Sequence, residues 1–459
     1  DPYGRPRDRP SGKTFWFTAN GYPIQEVLER VSQSTGDVAR FCFETSVKPL
    51  KGQSAHKLLM ALALFPMPAL QNALLQVAVP EADCNTTTND LARLRGLSLV
   101  RQENYRYSML PLTREYALAE LKAHPNFERE ARERWIGWYL SFSQKYAGQD
   151  AKEWQQFDGL EEWQNLQAVI EWCMVEGRYA EMLNLWQNIE AYTHIVGRRE
   201  SRLRFWDDRI TWTAWLIQAA EQRGDWLVAA NMMVDRAWTL TSMGKHKHLQ
   251  EAEELFARAW ELRHYQEPLF QINLAKNIAV LRIQQQKFDE AQTWLAQMIE
   301  LLQQTQLEEQ QRLRQLVQIH YYQGEIFFKN GEYEQSKIVF QQALEYAQSI
   351  DWRRGIFCTQ NWLAEIAIQE GALDEAERLL TEGLRVAEAN GDKSRTAFCQ
   401  RSLSNLAKAQ GNLVEARRWA IAALHNFERL GMLPEVEETQ ILLQVLDTSL
   451  GNSQQLENL

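Results

Sequence analysis

Cysteine is scarce: Cys42, Cys84, Cys173, Cys358 and Cys399 are the only five in 459 residues, far apart and without C-x-x-C spacing. That excludes a disulfide framework and a zinc knuckle. Long apolar runs are missing too. The run LLMALALF at 58–65 is far short of the roughly eighteen residues that span a bilayer, and no signal-peptide core is present. A soluble, cytoplasmic protein without membrane partners is expected. A complete phosphate loop is also lacking. RPSGKT supplies Gly12-Lys13-Thr14, but Arg7 stands where the first Walker A glycine belongs, and the Pro- and Arg-rich stretch before it cannot form the strand that feeds such a loop. No cofactor is expected. The net charge of −10 is spread along the chain and argues against nucleic acid as the main partner. Because no Ser/His/Asp, Cys/His or paired-carboxylate constellation stands out from the Glu-rich helix faces, the chain is not expected to be an enzyme.

What is there is repetition. GEYEQSKIVFQQAL, GALDEAERLLTEGL and GNLVEARRWAIAAL begin at Gly331, Gly371 and Gly411, a 40-residue interval. Small residues follow each glycine at Ser336, Ala376 and Ala416; bulkier or small ones stand at Phe340, Leu380 and Ala420, then Ala343, Gly383 and Ala423. Gly324, Ala364 and Ser404 give the matching small position on a preceding helix. Helix pairs that approach closely at small side chains account for this pattern, which resembles the tetratricopeptide repeat with longer helices. Weaker copies keep Ala291, Leu295 and Met298, with Gln286 in place of the turn glycine, and Ala252, Phe256 and Ala259 after GKHKH. Gly177, Gly197 and Gly224 open similar units upstream. With no alternating strand pattern from about 126 to 450, that stretch reads as an α-solenoid with a concave face for a partner.

Two features within it invite other readings. His246 and His248 lack nearby cysteines or a carboxylate cluster, so they are read as solvated turn residues rather than metal ligands. Eleven of the seventeen tryptophans lie between Trp135 and Trp238; Trp172, Trp186 and Trp206 fall where a repeat needs bulk, and core packing is preferred over a binding patch.

Residues 51–125 do not repeat. SAHKLLMALALFPMPA reads as a helix stopped by Pro66 and Pro68, QNALLQVAV as a second, and the stretch after a Thr/Asn-rich cap as a third with Leu91, Leu94 and Leu97 on one face. LSLVRQ and YRYSML form a hairpin across Glu103-Asn104, and LTREYALAEL closes the unit. Three helices and a two-stranded wing make a winged helix. DNA reading would fall to Arg93 and Arg95, a thin footprint beside Asp90.

The series LLMALALF, DLARLRGLSLV, YRYSMLPLTREYALAEL and LEEWQNLQAVIEWCMVEGRYAEMLNLW resembles the region after the ATPase core in bacterial NB-ARC-type signal-transduction ATPases, the STAND class, over about residues 20–215. The resemblance implies a winged helix followed by a repeat sensor, with the nucleotide motor upstream. Met109-Leu110-Pro111 stands where many members carry Met-His-Asp, and Leu110 cannot donate the phosphate bond of that histidine. The implied layout is mainly α: an arm (1–15), a helical linker (16–50), the winged helix (51–125), a Trp-rich helical-pair region (126–220), tetratricopeptide-like repeats (221–450) and a tail (451–459). The expected role is the protein-binding, regulatory sensor of such an ATPase. A free-standing repeat scaffold and a DNA-binding regulator are the alternatives.

Repeat geometry places Gln318, Tyr321, Glu325 and Phe328, then Cys358, Asn361, Glu365 and Ile368, then Phe398, Arg401, Asn405 and Lys408 on the concave side of three first helices. Tyr321, Glu325, Phe328, Asn361, Glu365, Phe398, Arg401, Asn405 and Lys408 are the candidate site for a protein or peptide ligand. No small-molecule ligand is expected.

Overall fold

The computed structural model describes residues 43–81, 83–146, 161–196, 204–389, 392–430 and 432–457. The arm with its Gly12-Lys13-Thr14, the linker as far as residue 42 and the Gly197 turn lie outside the described residues. The chain divides into two compact units, Asp1–Ile189 and Glu190–Leu459.

In the first unit, α1 (Ser54–Leu62) carries apolar residues all round, as a central helix must, and packs against α2 (Gln71–Ala78), α3 (Cys84–Gly96), α4 (Pro111–Lys122) and α5 (Pro125–Tyr146). Pro66 and Pro68 follow its end, as the sequence predicted. The cap of α3 is Asp83, not a Thr or Asn: its Oδ1 accepts from the N–H groups of Asn85 and Thr86 at 2.9 Å. Leu91 and Leu94 are buried, whereas Leu97 follows the helix and is exposed. The hairpin is β2 (Arg101–Glu103) and β3 (Arg106–Ser108), turned by Asn104 and Tyr105, both at positive φ. A short strand absent from the sequence reading, β1 (Ala69–Leu70), pairs with the other edge of β3, opposing Ala69 to Tyr107.

A buried polar knot ties this hairpin to the helices. Arg106 Nη1 donates to Glu162 Oε1 at 2.6 Å and to the Pro68 carbonyl at 2.7 Å. The Tyr139 hydroxyl and Asn165 Nδ2 both donate to Glu162 Oε2, and the Met67 N–H donates to Asn165 Oδ1. Glu162, fully buried, is thereby paired on both oxygens, the condition under which an interior carboxylate is tolerated. Asn165 stands on α6 (Trp163–Val175), which is followed by α7 (Tyr179–Val196).

The second unit is a stack of helix pairs: α8 (Arg204–Arg223), α9 (Trp226–Met243), α10 (His246–Glu261), α11 (Pro268–Gln284), α12 (Phe288–Gln304), α13 (Glu309–Lys329), α14 (Tyr333–Ser349), α15 (Arg353–Glu370), α16 (Leu373–Ala389), α17 (Lys393–Ala409), α18 (Leu413–Arg429) and α19 (Leu433–Glu457). The last of these runs into the stretch read as a tail. Each helix packs on the next because its apolar stripe finds no other cover. The small positions read from the repeats are buried: Ser336, Ala364, Ala376, Ser404, Ala416 and Ala420 are all at 0% exposure. Two of them bond across the pair, Ser336 Oγ to the Gly324 carbonyl and Ser404 Oγ to the Ala416 carbonyl, each at 2.8 Å. Trp186 and Trp206 are buried, whereas Trp172 is half-buried under the Arg132 guanidinium. His248, read as a solvated turn residue, is on α10 and buried; burial pushes its pKa below the ordinary value.

The stack also returns on itself. Pro434, in the first turn of α19, lies against Gly244, the left-handed cap of α9; a Cβ on Gly244 would stand 2.2 Å from Pro434 Cγ. Beside this seam a cleft of about 940 Å³ lies among Gln250, Glu253, Gln285, Lys287, Glu437 and Gln440. A smaller cavity, about 110 Å³, lies among Trp206, Trp238, Val280, Met432 and Pro434.

Candidate functional site

The inner face is built by first helices, and the 40-residue period is why its side chains meet. Residue i of one first helix stands beside residue i+40 or i+41 of the next. Trp362 Nε1 donates to the Tyr321 hydroxyl at 2.9 Å; Asn361 Nδ2 donates to Ser402 Oγ at 3.1 Å; Asn405 Nδ2 donates to both oxygens of Glu365, at 3.1 and 3.2 Å. Arg401 Nη1 pairs with Glu438 Oε2 at 2.6 Å, and its guanidinium lies over the rings of Phe398 and Phe427. Phe328 meets Trp362 edge-on at 5.0 Å. Lys408 alone among the candidates is exposed.

These contacts make the face less open than the sequence implied. The Arg401 side chain is only 20% exposed. Sequence reasoning also missed contributors. Trp362 adjoins the predicted Asn361, and Glu438 stands 40 residues after Phe398, so the period could have found it. Lys276 was hidden by the degenerate upstream copy.

Tyr321, Cys358, Glu325 and Lys276 are driven toward their neutral forms by loss of water. Burial pushes Tyr321 well above the ordinary phenol range, and Cys358 up despite the guanidinium groups of Arg354 and Arg395. Burial also raises Glu325, against the pull of Lys329 and with a push from Glu438. The Lys276 amine is lowered to about 8 by burial and then by Arg354. A thiol held protonated is a poor nucleophile. No group of His, Cys, Asp and Glu among the described residues could hold a metal ion. Nor is any described helix long and apolar enough to cross a membrane. Asn361 Oδ1 is buried and accepts no hydrogen bond.

Residues 355–429, the span of α15 to α18, match the tetratricopeptide repeat family. No curated protein matches the sequence. Among solved structures, the chain is similar to a Signal Transduction ATPase with Numerous Domains (STAND) protein with a tetratricopeptide repeat sensor from Pyrococcus horikoshii, at 13% identity and a TM-score of 0.49. That likeness covers 88% of this chain and 55% of the other, so this chain spans about half of that protein's length. It is also similar to yeast Tom70 (12% identity, 86% of this chain, 72% of that one, TM-score 0.36) and to the apo form of the quorum sensor NprR from B. thuringiensis (16%, 69%, 97%, TM-score 0.32).

Proposed function

We propose that this chain is a recognition and regulatory module without catalytic activity of its own, in which the inner face of the repeats holds an extended polypeptide. The observation that carries this reading is the row of amide and aromatic side chains set across consecutive first helices. Amide side chains offer both donors and acceptors to the backbone of an extended chain, and the aromatic rings beside them offer apolar contact. Residues 51–125, with their helices and hairpin, support the further reading as the winged helix of a STAND-type signalling ATPase, with the repeats as its sensor. A Walker A segment upstream in the full gene separates this from a free-standing scaffold.

Selection from a displayed library of random linear peptides tests the binding reading. The wild-type chain should enrich a peptide family, and Lys408→Glu combined with Phe328→Ala should lose it by about tenfold or more in affinity. Arg417→Glu, on the other helix of its pair, should keep it. Enrichment that survives the inner-face changes would place binding elsewhere, with the Trp-rich stretch from 135 to 238 next to be examined by substitution.

A further inference from the structure

Most cations on or beside the inner face have a carboxylate to meet them. Arg401 pairs with Glu438 at 2.6 Å, Lys329 with Glu325 at 3.3 Å and Arg395 with Asp392 at 3.0 Å. Lys408 is exposed to water. Lys276, on α11, has neither a carboxylate nor full access to water. It lies ten residues before the turn at Gln286, as Tyr321, Asn361 and Arg401 lie ten before the turns at Gly331, Gly371 and Gly411, so the period puts it in the same inner stripe. Lys276 is half-buried, with its amine 5.9 Å from the centre of the Trp238 ring on α9. Among the described residues no carboxylate pairs with it; the charge that acts on it is the guanidinium of Arg354, in the first turn of α15, and that repels. Arg354 has no acidic partner among the described residues either, and lies beside Cys358, one turn along the helix. Two like charges held near each other where water is scarce destabilise the empty groove. With 60 acidic residues against 50 basic ones the chain is not short of carboxylates, yet none among the described residues serves these two.

We propose that Lys276 and Arg354 form an anion subsite of the inner face, which takes a carboxylate of the extended polypeptide held there. An incoming carboxylate replaces one repulsion with two attractions, each carried by a charge-assisted hydrogen bond. An acidic side chain and a chain terminus offer the same group. The subsite also gives the stripe a direction, since Arg401 further along it is already neutralised by Glu438. That the carboxylate comes from a polypeptide rests on the peptide-binding reading; the anion subsite does not.

Two measurements on the full chain test the two parts separately. In the first, the lysines are methylated reductively with 13C-formaldehyde, and the Lys276 signal, assigned from Lys276→Arg, is titrated against pH by NMR. Glutarate, a dicarboxylate, is the probe, with chloride at equal ionic strength as the reference. Glutarate should raise the Lys276 midpoint in the wild type, because a bound anion favours the charged amine, and should leave it unmoved in Arg354→Gln. An unmoved wild-type midpoint would overturn the subsite. So would an equal rise in Arg354→Gln, which would show that the two cations do not act together.

In the second, a peptide enriched by the wild-type chain is compared with copies in which each Asp or Glu becomes Asn or Gln, or the C-terminus is amidated. One such change should weaken binding to the wild type by about tenfold or more and binding to Lys276→Gln far less, because both losses remove the same contact. A loss on changing a side chain identifies an acidic residue as the source; a loss on amidation identifies the chain terminus. If no copy is weakened, or the weakening is equal in Lys276→Gln, the carboxylate assignment is overturned. A glutarate shift in a chain that enriches no peptide would remove the peptide-binding reading and leave the anion subsite standing.

Discussion

At the scale of single residues, the turn positions show what a side chain costs when the backbone is fixed by its neighbours. Gly331, Gly371 and Gly411 turn with φ near 80°, and Gln286 turns the corresponding corner with φ of 59°. Glycine reaches that region without penalty, whereas a Cβ costs roughly 1 kcal/mol. Gln286→Gly should therefore stabilise the chain by about 1 kcal/mol, and Gly331→Ala should destabilise it by about as much. Denaturant titration would read both, and a Gln286→Gly chain no more stable than wild type would show that the glutamine side chain compensates. Gly324 is constrained by space instead: a Cβ would lie 2.7 Å from the Phe340 ring, so Gly324→Ala should cost about 1–3 kcal/mol. Glu325 yields a pH signature. Its folded pKa is raised, so the native state binds the proton more tightly and stability falls as pH rises from the ordinary carboxylate range through the folded value. Glu325→Gln should raise the melting temperature at neutral pH, and the gain should vanish in acid, below that range.

At the scale of elements, much was legible because helix pairs obey a period. The small residues at Ser336, Ala376 and Ala416 announced close approach, and they are buried where that reading puts them. Features outside the period were not legible. Asp83 caps α3 although the Thr/Asn run beside it, residues 85–89, offers five side chains of the capping type, since only the loop geometry decides which one precedes the first turn. β1 is two residues long and has no pattern to show. The site was half legible: the stripe Tyr321, Asn361 and Arg401 follows from spacing, but Trp362 Nε1 reaching Tyr321 depends on rotamers that spacing does not fix. On α3, Arg93 donates to Gln53 Oε1 at 2.7 Å and Arg95 bonds to Gln102. Both arginines are engaged within the unit, so mixed-sequence duplex should give no band shift even at low salt, where phosphate contacts are strongest. A tight, salt-sensitive shift abolished by Arg93→Ala with Arg95→Ala would instead establish a DNA-binding regulator.

At the scale of the whole molecule, a nucleotide is expected to be ignored. Calorimetric titration of the full chain with magnesium ATP should release no binding heat; micromolar affinity lost in Lys13→Ala would overturn that expectation. A different constraint follows from the seam. Repeat proteins usually vary by duplication or loss of whole units, since each unit touches only its neighbours and one more or fewer leaves every interface satisfied. Here the first turn of α19 must come back to Gly244, so the arc has to hold a fixed number of pairs. Removing one 40-residue period would keep every helix-on-helix interface intact and still carry Pro434 away from its partner. In lineages that descend from this chain, unit number should be frozen between residues 244 and 434 and free to drift only outside them, a copy-number rule imposed by one glycine and one proline.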